Sequence, residues 1–446
     1  MVLSDNSNAM EKLLYNVDDR PPWPRSVLYG LQWLLVVLPL ITVTSNLMAA
    51  FLGMDTVQSA ALFQRFLLVV GIVTAVQCTA GHRYPLIDGP SAALLLSVAV
   101  LADDGLSVIS GGMLAGGLLL AVLGGLGLVG RLQGLFTDRV VGVVLLLIST
   151  TLLPFIYPMI IGVSERYPNG DPFTLGLSFL VMLIIVLLSY WTRGFSRNLS
   201  VFIGIVFGFF WMLILGRVDL PATEGLAWIS PPEPFLGPAP RFTITGTLSF
   251  FLAYVAVLIN GLGSYFSVGE VVGKEDLGRR IERGVALTGG GGILAAVLGV
   301  VGTVSYSLSP GVILVTRVGS RFPVFLCALM LIALAFFQKA GAVLSSIPDA
   351  VVGAALFVTL AAQMGVGISV LVRDQYALDV RDYLVVGLPL LLGTAASMLP
   401  SEFLELFPPP TRALMGNGLI VGIVLVLFLE HVVLRQNSGV RSQEPE

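Results

Sequence analysis

Two short stretches of this chain combine glycine, proline and hydroxyl side chains within otherwise apolar sequence, so that a helix could begin inside the protein at each of them. Proline suits the first turn of a helix because its missing N–H would have no partner there. The free N–H groups and the positive end of the helix dipole would then face a bound solute. The alternative is that both stretches are proline-kinked structural helices. The predicted solute-binding residues in the two stretches are Gly89, Pro90, Ser91, Ala92, Ser307, Leu308, Ser309 and Gly311.

Two further polar side chains lie in the middle of the apolar run over residues 244–270. The amide of Asn260 both donates and accepts hydrogen bonds, so it could bind the urea-like edge of a planar solute. Ser264 lies four residues later and therefore on the same helix face. A polar side chain is costly in an apolar helix unless it has a partner. Asn260 therefore either binds a solute or joins two helices by a hydrogen bond.

Asp88 immediately precedes the first of the two breaks. It either caps the helix that begins there or serves as a ligand for a coupling proton or cation. His82 lies at the end of an apolar run, and we expect it at the membrane interface. None of the predicted binding residues is basic, so a strongly anionic solute would find no counter-charge except the helix dipoles. These features favour a small, planar, neutral organic solute.

The composition identifies the class of protein that must position these residues. Hydrophobic residues make up 56% of the 446 residues and charged residues 11%, whereas a soluble domain carries about 25% charged residues. The chain is therefore predicted to be a polytopic helical membrane protein. The sequence has no His/Cys set with metal-ligand spacing and no nucleophile–base arrangement. We accordingly predict no enzymatic activity, no metal, no cofactor and no nucleic-acid partner.

The apolar runs form two series of seven segments, separated by the polar, proline-rich connection over residues 217–243. The broken element is third in each series, with an extended piece at Tyr84–Ile87 in the first. Because seven is odd, the two halves must enter the membrane in opposite senses, which defines an inverted repeat. The predicted fold is all-α and polytopic, with 14 transmembrane segments in a 7+7 inverted repeat and short β-strands in segments 3 and 10. The predicted segments are 27–49, 57–80, 84–102, 109–130, 137–156, 173–192, 199–216, 244–270, 284–302, 303–319, 322–339, 348–371, 382–399 and 412–434.

The basic residues orient these segments. With the N-terminus in the cytoplasm, most of the 24 Lys and Arg residues fall on the cytoplasmic side, as the positive-inside rule requires. We therefore predict a multi-pass protein of the plasma (inner) membrane, surrounded by the lipid bilayer, with both termini in the cytoplasm.

Several motifs along the chain share the pattern of one transporter family. They are TyrGlyLeuGlnTrp at 29–33, TyrProLeuIleAspGlyProSer at 84–91 and LeuPheThrAspArgValValGly at 135–142. In the tenth segment Gly311, Thr316 and Arg317 keep the spacing of the family signature, and Tyr306 precedes them. On these residues nearly the whole chain resembles the nucleobase/ascorbate transporter family, also called nucleobase–cation symporter-2, which includes bacterial uracil and xanthine permeases.

The resemblance implies a core domain that holds the site, a gate domain, a homodimer formed through the gate, and elevator-like movement of the core. It also implies a nucleobase-like substrate of the uracil, xanthine or purine class. The implied divisions are a cytoplasmic tail at 1–26, core at 27–130, gate at 131–243, core at 244–340, gate at 341–434 and a cytoplasmic tail at 435–446.

The chain departs from the family at the positions that usually carry its acidic anchors. Asn260 stands in place of the usual Glu of the eighth segment, and Ser264 in place of a His that assists that Glu. Leu308 and Ser309 stand where the signature has an amide or acid and an Asn. Coupling to a proton or sodium ion through Asp88 and uniport both remain open. An inorganic or small organic anion carrier of the related bicarbonate/sulfate fold and a transport-dead receptor or scaffold are the alternative functions.

Overall fold

The computed structural model is a helical protein that contains one pair of short strands among the residues it describes. Those residues are 13–132, 135–164, 167–192, 199–218, 228–232, 239–306, 308–372, 379–404, 406–408, 411 and 415–434.

The first half of the chain forms nine helices and one strand within this part of the structure. They are α1 Trp23–Phe51, α2 Thr56–Thr79, β1 Asp88–Pro90, α3 Ala92–Val100, α4 Leu106–Gly125, α5 Val129–Leu132, α6 Asp138–Thr151, α7 Leu153–Ile161, α8 Pro172–Trp191 and α9 Ser200–Ile214. Several of these helices begin where a polar side chain caps the free N–H groups of the first turn. Asp55 and Gln58 form a reciprocal capping box at α2, and Asp171 caps α8.

The second half repeats this order of elements in its first part. It contains α10 Ile244–Val272, α11 Leu277–Val297, β2 Thr303–Ser305, α12 Ser309–Thr316, α13 Phe322–Leu334, α14 Gln338–Ser345, α15 Asp349–Leu371, α16 Val380–Ala396, α17 Ser401–Leu404, α18 Gly418–Phe428 and a π-helical turn at Leu429–Val433. Thr243 caps α10, and Asn417 caps α18. The short helices α3 and α12 each follow a strand, as the two breaks in the sequence predict.

Seven helices of the described chain are long and apolar enough to cross a bilayer: α1, α2, α4, the combined pair α6–α7, α8, α10 and α15. Three shorter apolar helices accompany them, at Ser200–Ile214, Phe322–Leu334 and Gly418–Val433. The chain is thus a polytopic, mainly helical membrane-type protein, as its composition predicts. Some predicted boundaries shift: α11 begins at Leu277 instead of residue 284, and a break before Pro154 divides the fifth predicted segment into α6 and α7.

Small residues allow the helices around the strand pair to approach closely. A Cβ atom added to Gly124 of α4 would lie 2.3 Å from the backbone nitrogen of Ala286 in α11. A Cβ on Gly289 of α11 would lie 2.2 Å from the nitrogen of Ala121 in α4. Since real Cβ contacts are never this short, only glycine permits the observed α4–α11 distance. These glycines therefore act in close helix packing.

The two strands pair in antiparallel fashion, with Asp88 opposite Ser305, Gly89 opposite Val304 and Pro90 opposite Thr303. All six strand residues are buried. β1 packs against α1 and α2, and β2 packs against α10 and α11. The prediction of an extended segment in each broken element is confirmed, but the predicted position of the first, Tyr84–Ile87, is wrong. The strand begins at Asp88 because the preceding residues form a hydrogen-bonded turn after α2.

Candidate functional site

The strand pair brings the starts of α3 and α12 to the same place in the protein. Each short helix follows its strand within a few residues, so the antiparallel pairing of β1 with β2 sets the two helix starts beside each other. α10 contacts α3, β2 and α12 and therefore passes across this junction. The expectation that the two broken elements meet is confirmed. The junction of β1, β2 and the starts of α3 and α12 is the candidate site.

At the start of α3, Ser91 is the capping residue. Its Oγ accepts a hydrogen bond from the Leu94 N–H at 3.4 Å, and its own N–H donates to the Gly302 carbonyl at 2.9 Å. The prediction that Asp88 could cap this helix is therefore wrong. Asp88 lies three residues before the capping position at Ser91. Its Oδ1 instead accepts a hydrogen bond from Ser305 Oγ at 2.8 Å.

At the start of α12, Ser309 ties the second broken element to the first. The Ile87 N–H donates to Ser309 Oγ at 3.3 Å, and the Tyr306 N–H donates to the Ile87 carbonyl at 3.0 Å. Leu308 is half-buried beside it, and Gly311 lies within the first turn of the helix. Ser307, which the sequence also places in the site, lies outside the described residues.

Ser264 and Asn260 on α10 differ in their surroundings. Ser264 is fully buried; its Oγ donates to the Ser305 carbonyl at 2.7 Å and also lies 3.1 Å from the Asn260 carbonyl. Its hydroxyl therefore attaches α10 to β2. Asn260 is only half-buried, and its side-chain amide makes no hydrogen bond to the residues that the structure describes. That amide is available to a solute.

The ring of Tyr306 lies against Gly89. A Cβ atom added to Gly89 would lie 2.3 Å from two atoms of the ring, so no larger residue fits without moving the tyrosine. The Tyr306 hydroxyl donates to the Pro90 carbonyl at 3.0 Å, which fixes the ring across β1. The ring is half-buried and gives the site a flat, mainly apolar surface.

Burial separates six of the predicted site residues into two groups. Ser91, Ser264 and Ser309 are buried, and each makes hydrogen bonds within the protein. Ala92, Asn260 and Leu308 are half-buried. The first group holds the backbone in place, and the second can contact a solute directly. With an amide, an aromatic ring and two helix starts, the site is suited to a neutral, planar, hydrogen-bonding molecule.

Sequence reasoning missed one residue that belongs to this region. His82 was expected at the membrane interface, but its side chain is fully buried, with Nε2 3.8 Å from Oδ2 of Asp88. The error arises because the turn after α2 folds back under the strand pair instead of leaving the protein. The available signal was the spacing of His82 and Asp88, two titratable residues that flank the short apolar piece before the first break.

A family model described as "Permease family" (Xan_ur_permease) matches residues 24–402. The uric acid transporter UacT of Escherichia coli (strain K12) is 27% identical over 411 residues, which cover 90% of this chain and 85% of that protein. The uric acid permease PucJ of Bacillus subtilis (strain 168) is 26% identical over 410 residues, or 89% of this chain and 90% of that protein. The xanthine permease of the same organism is 24% identical over 408 residues, 90% of this chain and 92% of its own length.

Two solved structures share the fold. The transmembrane domain of the cyanobacterial bicarbonate transporter BicA superposes with a TM-score of 0.59 at 14% identity, over 93% of this chain and 98% of that domain. SLC26A9 superposes with a TM-score of 0.58 at 12% identity, over 91% of this chain and 64% of its own. At such low identity these structures establish a common fold and leave the solute undetermined.

Proposed function

Because this chain belongs to the permease family, the nucleobase/ascorbate transporters, we propose that it carries a nucleobase-like solute of the uracil, xanthine or purine class across the plasma membrane. It is a multi-pass membrane transporter and not an enzyme. The named relatives that transport uric acid or xanthine favour an oxidised purine as the substrate.

The half-buried amide of Asn260, on the helix α10 that passes across the two helix starts, is the observation that best supports this solute class. An amide offers one acceptor and two donors, and a purine edge presents N–H and C=O groups in the complementary order. The Tyr306 ring provides a surface on which a planar base can stack. Asp88, the acidic residue in β1, is fully buried beside Ser305 and His82, and the half-buried side chains of the site, Ala92, Asn260 and Leu308, are uncharged. A neutral wall favours a neutral base over an inorganic anion.

The finer architecture is part of the same proposal. The protein has 14 membrane segments in a 7+7 inverted repeat, with both termini in the cytoplasm. α1, α2 and α4 pack against α10, α11 and α13, whereas α6 and α8 pack against α15. This grouping supports a core of segments 1–4 and 8–11 and a gate of segments 5–7 and 12–14. The core moves like an elevator against the gate, and two copies associate through the gate.

Energy coupling requires a group other than the usual carboxylates, since Asn260 and Leu308 occupy their positions. Asp88 is the acidic residue of the strand pair, and it is our candidate for coupling to a proton or a sodium ion. Uniport is the outcome if Asp88 has no such role.

The test is uptake of radiolabelled xanthine, uric acid and uracil by cells that lack their own permeases. We expect saturable uptake of at least one of these bases. Asn260→Ala should reduce uptake about tenfold or more, because it removes the hydrogen bonds between the amide and the solute. A tenfold change corresponds to about 1.4 kcal/mol of binding free energy. Ser309→Ala should also reduce uptake, through displacement of the strand pair. Ser178→Ala removes another buried, hydrogen-bonded serine in α8 and serves as the control.

Three outcomes would count against the proposal. Wild-type uptake in both Asn260→Ala and Ser309→Ala would remove the site assignment. Uptake of bicarbonate or sulfate without uptake of any base would indicate an anion carrier. Purified protein that binds a base but never moves it into liposomes would indicate a receptor or scaffold.

A further inference from the structure

His82 and Asp88 form a buried pair of titratable side chains next to the strand pair. Both side chains are fully buried, and His82 Nε2 faces Asp88 Oδ2 at 3.8 Å. The other oxygen of Asp88 accepts a hydrogen bond from Ser305. Within the described residues, neither Nε2 nor Oδ2 has a hydrogen-bond partner. Two buried ionisable groups therefore face each other, each with one polar atom that has no hydrogen-bond partner among the described residues.

The hydrogen bonds of the imidazole determine which nitrogen carries its proton. The Tyr84 N–H donates to Nδ1 of His82 at 3.0 Å, so Nδ1 is an acceptor and carries no proton. The neutral ring must then carry its proton on Nε2, directed at the carboxylate of Asp88. With Asp88 ionised, the pair holds one buried negative charge, which is costly in an apolar interior. Binding of one proton would remove this net charge.

Among the described residues, Arg280 is a charged group close to His82. Its Nη1 donates to the carbonyls of His82 and Arg83 at 3.2 and 2.7 Å, and its guanidinium lies over the Tyr84 ring. These hydrogen bonds of Arg280 therefore stabilise the turn and do not involve the Asp88 carboxylate. The titratable and charged groups around the pair, taken from each adjoining element, are Cys78 on α2, Tyr84 in the turn, Tyr265 on α10, Arg280 on α11, Tyr306 after β2 and Arg321 before α13.

We propose that His82 and Asp88 together form a proton-binding site whose occupancy sets the position of the turn that leads into β1. This inference rests on the proposed transport function. In the binding step a proton from solvent adds to Nδ1 of His82, and the hydrogen bond from the Tyr84 N–H breaks. The resulting imidazolium pairs through Nε2–H with the Asp88 carboxylate, so the net charge of the pair changes from minus one to zero. No electrons are transferred, and one proton is bound per chain.

The hydrogen bonds of the turn connect this step to the candidate site. Release of the Tyr84 N–H frees the turn immediately before Ile87, whose N–H and carbonyl bond to Ser309 and Tyr306. Asp88 itself is the first residue of β1 and bonds to Ser305 of β2. A shift of the turn therefore moves both strands and the Tyr306 ring at once. Proton occupancy and solute occupancy are coupled through these contacts.

The first experiment observes the proton directly and does not depend on transport. The chain has two histidines, so His431→Gln leaves His82 as the single imidazole. We expect nitrogen NMR of this full-length variant, labelled on the histidine ring, to show the Nε2–H form at alkaline pH. On acidification the ring should pass to the form that carries a proton on both nitrogens. Adding Asp88→Asn removes the carboxylate that faces Nε2 and should disfavour this doubly protonated form. A ring that stays singly protonated throughout, or a transition that ignores Asp88→Asn, would overturn the proposal.

The second experiment tests whether the proton drives transport. Proteoliposomes with an inward proton gradient should accumulate labelled xanthine through the wild-type protein. His82→Gln and Asp88→Asn should lose about tenfold or more of this accumulation, while xanthine exchange at equal pH falls much less. Asp55→Asn is the matched control, since asparagine can keep the cap of α2.

The two proposals fail in different ways. The proton site would be refuted if the wild-type protein moved xanthine regardless of the gradient, or if His82→Gln accumulated xanthine like the wild type. Either result would leave the proposed transport function standing. A wild-type protein that moves no base would refute the proposed function, and the nitrogen NMR titration would still decide the proton site.

Discussion

At the scale of single residues, the site depends on one position that has no side chain. Gly89 lies under the Tyr306 ring, and the ring is fixed by its hydroxyl on the Pro90 carbonyl. The Tyr306 ring can therefore lie across β1 only because residue 89 has no side chain. A glycine in a strand often marks such a close approach.

We expect Gly89→Ala to reduce solute uptake tenfold or more, because the added methyl group must displace the Tyr306 ring. The measurement is initial uptake of the transported base, normalised to the amount of protein in the membrane. Gly263→Ala is the control, since a Cβ there meets no neighbouring heavy atom of the described chain within 4 Å. Unchanged uptake in Gly89→Ala would show that the position of the ring does not matter to transport.

At the scale of secondary-structure elements, the strand pair is held by side chains from helices. Ser264 of α10 donates to the Ser305 carbonyl, Ser309 of α12 accepts from Ile87, and Thr74 of α2 accepts from the Asp88 N–H at 3.3 Å. Each strand has only three residues, too few for independent stability. The helices must therefore stabilise the strands, and the buried serines act mainly as scaffold.

Ser264→Ala should lower the free energy of unfolding by about 1–3 kcal/mol, since it leaves the buried Ser305 carbonyl without this donor. Thermal unfolding of the purified protein in detergent would measure the change. Ser267→Ala alters a half-buried serine three residues later on the same helix and should have a much smaller effect. Equal stability of the two variants would mean that the α10–β2 hydrogen bond contributes little.

At the scale of the whole molecule, the proposed elevator predicts relative motion between the core and the gate. Asn417, which caps α18 in the proposed gate, lies with its Nδ2 3.4 Å from Oγ of Ser97 in α3 of the core. Ser97 Oγ also lies 3.3 Å from Ser249 Oγ in α10, within the core. The same serine therefore has one neighbour across the proposed boundary and one on its own side.

Cysteine pairs at these positions test the motion, in a background with Cys78 and Cys327 replaced by alanine. Oxidation of Ser97→Cys/Asn417→Cys should block uptake, and reduction should restore it. Oxidation of Ser97→Cys/Ser249→Cys should form a bridge without blocking uptake, because both residues move together. If both bridges form and neither affects uptake, the contact between α3 and α18 does not open during transport.

Much of the architecture could be predicted because it follows from local composition. Long apolar runs must be helices in a bilayer, since no water is available to the backbone there. Proline and glycine after polar residues indicate the two breaks, and the structure confirms that strands and short helices follow them. The exact start of each element was less predictable: β1 begins four residues later than expected, because the turn before it is held by contacts with distant parts of the chain, such as the bond from Arg280 to the His82 carbonyl.

The sequence by itself determined that this is a polytopic transporter of the nucleobase permease type, because apolar length and motif spacing are properties of neighbouring residues. Only the tertiary structure decided which polar residues form the scaffold and which face the site. It made Ser91 rather than Asp88 the helix cap, directed the Ser264 hydroxyl at β2 and placed His82 against Asp88. The Ser91 cap is a local contact with Leu94, but the side chain of Asp88 is held by Ser305, more than 200 residues away in the chain. The burial of Ser264 and His82 is likewise set by how the helices pack.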